Sequence, residues 1–544
     1  MPLRWLPHPK PSQSPLAPES PRVILAAPGS VNPDQRLTSV LAASSLLAVA
    51  WPVQASLPRA AASTITVTNL NPSGPGSLPQ AILQANANPG PDIITFSPSV
   101  SGTITLTSPV HITDTVIIQG PGPGKLSVSG GHTNAVFYLT HLGGDPITAT
   151  ISGLTIRDGN TTGGGGGGIY SQGVDLTLDQ VDLLNNTASG RGGAIDFGVN
   201  SFNIGLTIRN SLISGNVGGV GGGVYVKTAP AGVTIENTQV LSNTALGKAG
   251  GGGVYLYVPT NVLIQDSSLV SNTASLGDGG GLKLGTTNGG ATTIRRALIS
   301  GNSAVKGGGV EFYNPANDTL IEDTTISGNA ASQRGGGLDF EKSLGGAHTI
   351  LRTTISGNTA DFGGGIYLDR PANLVTIEDS TVSGNSAANI GGGIYLNQYP
   401  QAALQNSTVV SNSAGTAGGG IQVYRGVFPI TDTIVAHNSA PTDKDITGTF
   451  ELRYDLVQIT GTAAITNNGG NLFGLDPLLG PLANHGGPTQ TQFPAHNSPV
   501  INAGDPAFAE PPDTDQRGDP RVSGGRVDIG AVETQELFLP LVRR

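Results

Sequence analysis

The chain contains no cysteine, and only 12% of its 544 residues are charged. The absence of cysteine excludes disulfide bonds, so hydrophobic packing and backbone hydrogen bonds must hold the fold together. The net charge is −10 and basic clusters are few, which argues against nucleic acid or an anionic membrane surface as a partner. Long segments with helical spacing of apolar residues are also scarce, which argues against a helical fold.

Glycine is abundant, with 81 residues, and much of it belongs to a pattern repeated ten times between residues 150 and 425. The clearest copies are ISGNSAVKGGGVEF (299–312), ISGNTADFGGGIYL (355–368) and VSGNSAANIGGGIYL (382–396). One asparagine marks each copy, at steps of 26 to 30 residues, and a period of this length indicates a solenoid. These asparagines are Asn160, Asn186, Asn216, Asn243, Asn272, Asn302, Asn329, Asn358, Asn385 and Asn412, and Asn438 begins an eleventh, degenerate copy.

The copies consist of short alternating runs of Ile, Val and Thr, interrupted by Gly, Asn and Ser, which is typical of strands and turns. Aligning them produces four apolar columns: Ile208 to Ile377, Ile213 to Val409, Ala245 to Ala414, and Val224 to Ile421. Such columns predict an all-β parallel β-helix in which each turn stacks on the last. At a strand spacing of about 4.8 Å, ten copies make a rod roughly 50 Å long.

The alternation of GGGIY or GGAID with SGNTA or NNTAS resembles the repeats of secreted right-handed parallel β-helix proteins. Their relatives include the pectate-lyase-like fold and the polymorphic outer-membrane protein repeats. The resemblance covers residues 145–440 and implies a right-handed parallel β-helix, a fold that carries lyases, hydrolases, adhesins and inert stalks. We interpret the asparagine column and the glycine runs, such as Gly163–Gly168, as turn ladders, because the glycines lead into strands and not into helices.

The N-terminal region divides into several predicted segments. Residues 1–35 are rich in Pro and Ser and are predicted to be a disordered leader. Residues 36–55 resemble a signal peptide cleaved after Ala55, because one arginine precedes an apolar run too short to span a bilayer. This predicts a secreted or extracellular protein, free or attached to the cell surface, without a membrane span in the mature chain.

Residues 64–148 are predicted to form an N-terminal cap and the first irregular turns, followed by the regular repeats over 149–440. Within the cap, Leu78–Ala87 is predicted to be a helix, because Leu78, Ala81, Ile82 and Ala85 fall on one of its faces. We expect this helix to cover the otherwise unpaired edge of the solenoid.

The C-terminal region, 441–536, is predicted to be a second cap. Its segments Asp-Gln-Arg-Gly (515–518) and Asp-Ile-Gly-Ala-Val-Glu (528–533) resemble the choice-of-anchor Q segment of bacterial surface and secreted proteins. The tail LFLPLVRR (537–544) is too short to span a bilayer and is read as a sorting signal or a last strand. The acidic residues Asp505, Asp513, Asp515 and Asp519 lack the spacing of a known Ca²⁺ loop and are predicted to form a charged surface loop.

One column varies from copy to copy. The second residue after each glycine run is predicted to point outward, because side chains alternate along a strand. This column reads Tyr170, Asp196, Tyr225, Tyr255, Lys283, Glu311, Asp339, Tyr367, Tyr395 and Gln422. The next outward position reads Lys227, Tyr257, Gly285, Tyr313, Glu341, Asp369, Asn397 and Tyr424. Eight of the 11 tyrosines of the chain lie in these two columns.

Three interpretations of this face remain open. The first is a groove that binds an extracellular polysaccharide or the cell envelope, with Tyr225, Tyr255, Tyr257, Tyr313, Tyr367, Asp369 and Tyr395 as ligand-binding residues. The second is a polysaccharide lyase or glycoside hydrolase, with candidate catalytic residues Glu311, Asp339, Glu341 and Lys283. The third is a purely structural surface protein, since tyrosine favours strands and acidic residues keep a strand face soluble.

The prediction adopted is a monomeric, non-catalytic β-helix protein that binds extracellular polysaccharide or serves in adhesion. No cofactor is required for this function. Clustered carboxylates such as those around Glu311 and Asp339 could nevertheless hold Ca²⁺.

Overall fold

The protein coils into a right-handed parallel β-solenoid of about 14 turns, which we call rungs. The computed structural model describes residues 62–141, 143–198, 203–287, 289–342, 345–370, 374–398, 401–508 and 513–535. The predicted leader, signal peptide and C-terminal tail lie outside the described residues. No helix of the described part is long and apolar enough to cross a membrane. The predicted all-β parallel β-helix is confirmed.

Parallel strands from successive rungs build three sheets. Sheet 1 contains 29 strands: Thr64–Val67, Asp92–Phe96, Gly102–Thr105, Val116–Gln119, Leu126–Ser129, Ile147–Arg157, Val174–Leu184, Gly205–Arg209, Leu212–Ser214, Gly232–Glu236, Gln239–Leu241, Val262–Gln265, Ser268–Val270, Ala291–Arg295, Leu298–Ser300, Asp318–Glu322, Thr325–Ser327, His348–Leu351, Thr354–Ser356, Val375–Glu378, Thr381–Ser383, Ala402–Gln405, Thr408–Val410, Phe428–Thr431, Ile434–Ala436, Thr449–Arg453, Leu456–Val457, Ala464–Asn467 and Leu472–Phe473. Sheet 2 contains 13 strands: Val110–Ile112, Phe137–Thr140, Ile169–Gln172, Ile195–Phe197, Val224–Ala229, Val254–Pro259, Leu282–Leu284, Val310–Tyr313, Leu338–Glu341, Ile366–Asp369, Ile394–Leu396, Ile421–Val423 and Ile446–Thr447. Sheet 3 contains ten short strands: Asn160–Thr161, Thr187–Arg191, Val217–Val220, Thr244–Ala245, Thr273–Ala274, Ser303–Lys306, Ala330–Arg334, Thr359–Phe362, Ser386–Ile390 and Ser413–Ala414.

Residues with positive φ set the corners of each rung. In one rung, sheet 1 bends at Asp323 (φ 50°), and the chain leaves it for sheet 3 at Gly328 (φ 62°). The third corner, between sheet 3 and sheet 2, begins at Gly335 (φ 63°). Its second glycine, Gly336, has no room for a side chain, because a Cβ there would lie 2.3 Å from the carbonyl oxygen of the next rung's Gly364. Glycine therefore lets the rungs stack backbone against backbone at this corner.

Three of the four predicted apolar columns form the interior of the solenoid, whereas the alanine column, Ala245 to Ala414, is buried in sheet 3 outside this core. Ile321, Ile326 and Leu338 are representative, and none of them is exposed to solvent. A helix spans Leu78–Ala87, as predicted, and its buried residues are the predicted set Leu78, Ala81, Ile82 and Ala85. Ser77 caps it by accepting a hydrogen bond from the backbone N–H of Gln80. Through this face the helix joins the same apolar core as the first strands.

The asparagine column is a continuous buried ladder from Asn186 to Asn438. In each step, the side-chain Nδ2 donates to the Oδ1 of the next asparagine at 2.9–3.0 Å. The ladder ends where Asn438 donates to Asp445 Oδ1 at 2.9 Å. The assignment of Asn160 to this column is wrong by one residue: Asn160 pairs with Thr187, so Gly159 occupies the ladder position.

The C-terminal segment lies along the side of sheet 1. Its hairpin is joined by bridges between Leu479 and Pro494 and between Ala483 and Thr491. Further along the chain, Gln516 bonds the hydroxyl groups of Thr354 and Thr381, on two neighbouring rungs, at 2.9 and 2.6 Å. The segment therefore braces several rungs from the side.

Buried charges fasten this segment to the rod. Arg521 and Asp379 are both fully buried and lie 3.4 Å apart. The predicted charged surface loop is wrong for Asp505 and Asp515, which are both buried. Asp515 pairs with Arg517 at 2.8 Å and accepts a hydrogen bond from the backbone of Glu533, within the segment itself. Asp505 lies against the rod, where its backbone N–H donates to Asp432 at 2.7 Å.

Candidate functional site

Sheets 2 and 3 meet at the glycine corners, where the outward side chains of sheet 2 pack against the last residue of sheet 3. A Cβ on Gly335 would lie 2.7 Å from the Cβ of Asp339, so glycine permits the sharp turn. Arg334, the last residue of its strand, then reaches Asp339 across the corner, with Nε 2.9 Å from Oδ2. We call the second residues of the sheet 2 strands, from Tyr170 to Gln422, the outer column.

Most of the outer column is buried although it faces away from the apolar core. Its aliphatic strand neighbours Val310 and Leu338 belong to the core cluster, whereas Glu311 and Asp339 do not. Both carboxylates are nevertheless 0% exposed, and Tyr255 is only 7% exposed. Strand alternation thus predicts the direction of these side chains correctly, but sheet 3 covers the face that was expected to be open.

The first charged cluster is centred on Lys283. Its Nζ lies 3.0 Å from Glu311 Oε2 and 3.3 Å from Asp278 Oδ2. The ammonium group also lies 5.6 Å from the ring centre of Tyr255 and 5.7 Å from that of Tyr313, within the range of cation–π attraction. Lys283 and Glu311 are register partners on adjacent rungs, so the stacking of the solenoid itself brings them together.

The second cluster is centred on Arg334. Its guanidinium group binds Asp339 and also Glu341, with Nη2 2.7 Å from Oε2 of Glu341. Lys306 approaches the same Glu341 oxygen at 3.0 Å. The ring of Tyr367 lies 4.9 Å from the Arg334 Cζ atom, which completes an aromatic cover.

Asp369 continues this second cluster. It lies 3.9 Å from Arg334, 3.3 Å from Arg370, and accepts a 2.9 Å hydrogen bond from the Asn397 side chain. The sequence therefore placed Lys283, Glu311, Asp339, Glu341 and Asp369 on one face correctly. They form two groups of internally neutralised charges instead of one acidic patch.

Burial changes the proton affinity of the two central carboxyl groups. It raises the pKa of Glu311 to about 8, with the negative charges of Asp278 and Asp339 adding to the effect that Lys283 opposes. Burial likewise raises the pKa of Asp339 to about 7 against the lowering effect of Arg334. Both groups therefore hold a proton far more strongly than surface carboxyl groups do.

The tyrosines of the outer column form packed pairs. Tyr225 and Tyr255 meet edge to face with ring centres 5.5 Å apart, and Tyr367 and Tyr395 stack at 5.1 Å. All four rings are largely buried. These contacts stabilise neighbouring rungs and leave little ring surface for a ligand.

Three tyrosines of the next outward column remain exposed: Tyr257 at 46%, Tyr313 at 41% and Tyr424 at 54%. Tyr257 and Tyr313 lie two rungs apart, with Gly285 on the rung between them. Gly285 sits directly against Tyr257, because a Cβ there would lie 2.3 Å from the Tyr257 carbonyl oxygen. We call the strip of sheet 2 between these two exposed rings, where Gly285 contributes no side chain, the slot.

Sequence reasoning missed the partners that neutralise the outer column. Arg191, Asp278 and Arg334 each immediately precede the first glycine of a corner, five residues before Asp196, Lys283 and Asp339 respectively. The usable signal was opposite charge at i and i+5 across a glycine run, which marks these three pairs but also marks Lys306 and Glu311, each of which pairs with another residue. A strand pattern alone does not reveal it, because the two residues belong to different sheets.

A cation site is not evident in the described part of the chain, where no group of three or more His, Cys, Asp or Glu side chains is arranged to hold a metal ion. The carboxylates of Glu311 and Asp339 have cationic side chains beside them instead. The expectation that this cluster could hold Ca²⁺ therefore has no support in its geometry.

The chain is similar to one described family. The sequence profile of the family "Right handed beta helix region" matches residues 283–469, which cover the rungs from Lys283 onward. No curated protein matches the chain. The profile match agrees with the observed architecture, a β-helix fold common to pectate-lyase-like enzymes and surface proteins.

Proposed function

We propose that the protein binds an extended, uncharged polysaccharide on sheet 2, in the slot between Tyr257 and Tyr313, and that it does not cleave this ligand. The observation that carries the proposal is the exposure of these two rings, 46% and 41%, beside a largely buried column. Sugar rings stack on aromatic faces, and rigid aromatic side chains are frequent anchors of binding sites.

The geometry of the slot suits a linear chain of sugar rings. Two rungs of a parallel sheet span about 9.6 Å, so the tyrosines are placed to hold successive segments of one ligand along the rod. Gly285 leaves the space between them free of side chains. Lys283 below Tyr313 is neutralised by Asp278 and Glu311, which favours a ligand without charge.

The buried carboxyl groups support a non-catalytic role. A general acid or nucleophile must contact its substrate, yet Glu311 and Asp339 have no exposed surface. Their closest charged partners are Lys283 and Arg334, at 3.0 and 2.9 Å, and not an open cleft. We therefore assign these two residues to the stability of the rod. Secretion remains a prediction from residues outside the described part, and surface attachment remains a prediction from the resemblance of the C-terminal segment.

A glycan array followed by calorimetric titration tests the proposal. Tyr257→Ala and Tyr313→Ala should each weaken binding of an oligosaccharide by roughly tenfold or more, equivalent to about 1.4 kcal/mol. The matched control is Tyr424→Ala, which removes an equally exposed tyrosine several rungs away and should leave affinity unchanged. Absence of any bound glycan, or equal affinity of all variants, would leave the rod with a structural role only. Release of new reducing ends or unsaturated sugars would instead establish the lyase or hydrolase alternative.

A further inference from the structure

Three glycine corners carry opposite charges that lie five residues apart and form an ion pair with each other, and one of these pairs differs chemically from the others. The pairs are Arg191 with Asp196 at 3.4 Å, Arg334 with Asp339 at 2.9 Å, and Lys283 with Asp278 at 3.3 Å. The first two contain an arginine, which keeps its proton under all ordinary conditions. The third contains a lysine, whose amine becomes a nucleophile once it loses its proton.

The surroundings of Lys283 combine burial with a second carboxyl group. The side chains of Lys283, Asp278 and Glu311 are 8%, 18% and 0% exposed. Glu311 approaches the amine from the next rung, with Oε2 3.0 Å from Nζ. Its other oxygen, Oε1, has no hydrogen-bond partner among the described residues. Lysine, an acceptor carboxyl group and a buried carboxyl group are thus in contact within one corner.

We propose that Lys283 and Asp278 form an intramolecular amide bond across the glycine corner 279–281, with Glu311 carrying the proton. The site is a modification site of the chain itself and does not depend on the glycan-binding slot. Asp278 and Lys283 are joined by five peptide bonds, so the amide would close a small ring around the corner.

The reaction balances without a further reagent. Lys283 passes one proton directly to the Asp278 carboxylate, and the neutral Nζ attacks the Cγ atom of the protonated Asp278 carboxyl group. The C–N bond forms, the neutral Glu311 donates its proton to the departing hydroxyl group, which leaves as water, and the Glu311 carboxylate then takes one proton from the nitrogen. One ammonium and one carboxylate become one amide and one water, and Glu311 ends as it began.

Position and environment both favour this step. The Nζ atom lies 3.3 Å from Asp278 Oδ2, on the same carboxyl group whose Cγ atom it would attack, so the fold replaces an encounter between free groups. Two largely buried ions become one neutral amide, so the desolvation penalty of the charges disappears. Burial also raises the pKa of Glu311 to about 8, so at neutral pH it holds the proton that it donates to the leaving group.

The protonation of Lys283 sets the rate. Burial acts to lower the pKa of Lys283, but Glu311 and Asp278 outweigh this effect and raise the pKa above its ordinary value. The amine therefore loses its proton chiefly by direct transfer to Asp278, which lies 3.3 Å away. We expect a slow reaction that completes within the folded protein on storage, and none in the unfolded chain.

Intact-mass spectrometry of the purified, folded chain tests the proposal. The mass should lie one water below that of the sequence, and tandem spectra of a protease digest should show residues 278 and 283 linked. Trypsin should also fail to cleave after Lys283, because its amine is no longer free. A folded protein at full mass after prolonged incubation, with cleavage after Lys283, overturns the proposal.

Variants separate the amide from other dehydrations. Asp278 precedes Gly279, and an Asp-Gly dipeptide can also lose water by forming a succinimide. The variant Lys283→Arg could still form this succinimide, but it cannot form the amide. Full mass in Lys283→Arg and Glu311→Gln, with circular dichroism confirming their fold, supports the proposal. Loss of water in Lys283→Arg overturns it, and loss in Glu311→Gln alone overturns the role of Glu311. If Glu311→Gln does not fold, Asp278→Asn decides, because it should lose ammonia and reach the same linked product.

Discussion

Replacing Asn329 with alanine should destabilise the centre of the rod more than any exposed polar substitution of similar size. The side chain of Asn329 is fully buried and belongs to the ladder that runs through the rungs. Its Nδ2 donates to Asn358 Oδ1 and to the carbonyl oxygen of Ile299, both at 2.9 Å. Its Oδ1 accepts from the backbone and the side chain of Asn302, at 3.0 and 2.9 Å.

The expected loss follows from the groups that the substitution leaves without partners. Three buried groups lose a hydrogen bond with no replacement: the backbone N–H of Asn302, one side-chain N–H of Asn302, and the carbonyl oxygen of Ile299. Each unsatisfied buried group costs about 1–3 kcal/mol, so the three together predict a loss of roughly 3–9 kcal/mol. Asn358 Oδ1 keeps the backbone N–H of residue 329, so it adds little.

Urea unfolding and hydrogen exchange measured by mass spectrometry provide the test. Since each rung contacts mainly its neighbours, exchange should increase most in the rungs on either side of residue 329. Asn160→Ala is the matched control, because Asn160 lies outside the ladder and its side chain donates one exposed hydrogen bond to the His132 carbonyl oxygen. The control should change stability by about 1 kcal/mol or less. Equal effects of the two substitutions, or a loss below about 1 kcal/mol for Asn329→Ala, would refute the ladder as a source of stability.

Three further predictions concern the buried charges and the corners. Because the pKa of Glu311 is raised from 4.5 to about 8 in the folded state, its contribution to stability should be complete below about pH 4.5 and lost as the pH rises through 8. The fall in unfolding free energy over this pH interval should therefore be smaller in Glu311→Gln. The same pH profile of stability in the variant and the unaltered protein would contradict this prediction. Gly336→Ala should prevent normal stacking of the rungs, because its Cβ would meet a carbonyl oxygen at 2.3 Å. The control Gly328→Ala has φ +62° but no neighbour within 4 Å, so its free energy of unfolding in urea should fall by only about 1–2 kcal/mol. Arg521→Ala should leave the carboxylate of Asp379 buried without its partner, which should destabilise the C-terminal segment by about 3–5 kcal/mol and expose it to limited proteolysis. If the segment resists the protease as well as that of the unaltered protein does, the ion pair is dispensable.

The repeat made the fold predictable because the same physical constraint recurs in every rung. Ile321 must lie inside since its strand alternates, and the same argument applies to every member of its column. The helix Leu78–Ala87 was predictable to the residue, because its apolar spacing and the Ser77 cap both mark its beginning. Asn160 was misassigned because the first copy is one residue out of register, which only the pairing with Thr187 shows.

The candidate site was predictable only in part. Sequence alignment identified the outer column, and the register confirms that Glu311 and Asp339 are direct neighbours. Their burial was not predictable, because it depends on Arg334 and other residues that approach from sheet 3. Likewise, the sequence did not show that Tyr257 and Tyr313 are exposed while Tyr255, two residues before Tyr257 on the same strand, is buried.

The sequence by itself determined the solenoid, its apolar columns and the position of the varying face, because these follow from period, alternation and glycine placement. Only the tertiary structure decided which members of that face meet solvent and which meet each other. The physical reason is the sharp glycine corner, which folds the end of one sheet over the outer face of the next. It buries Lys283 in contact with both Asp278 and Glu311, while Tyr257 and Tyr313 stay exposed.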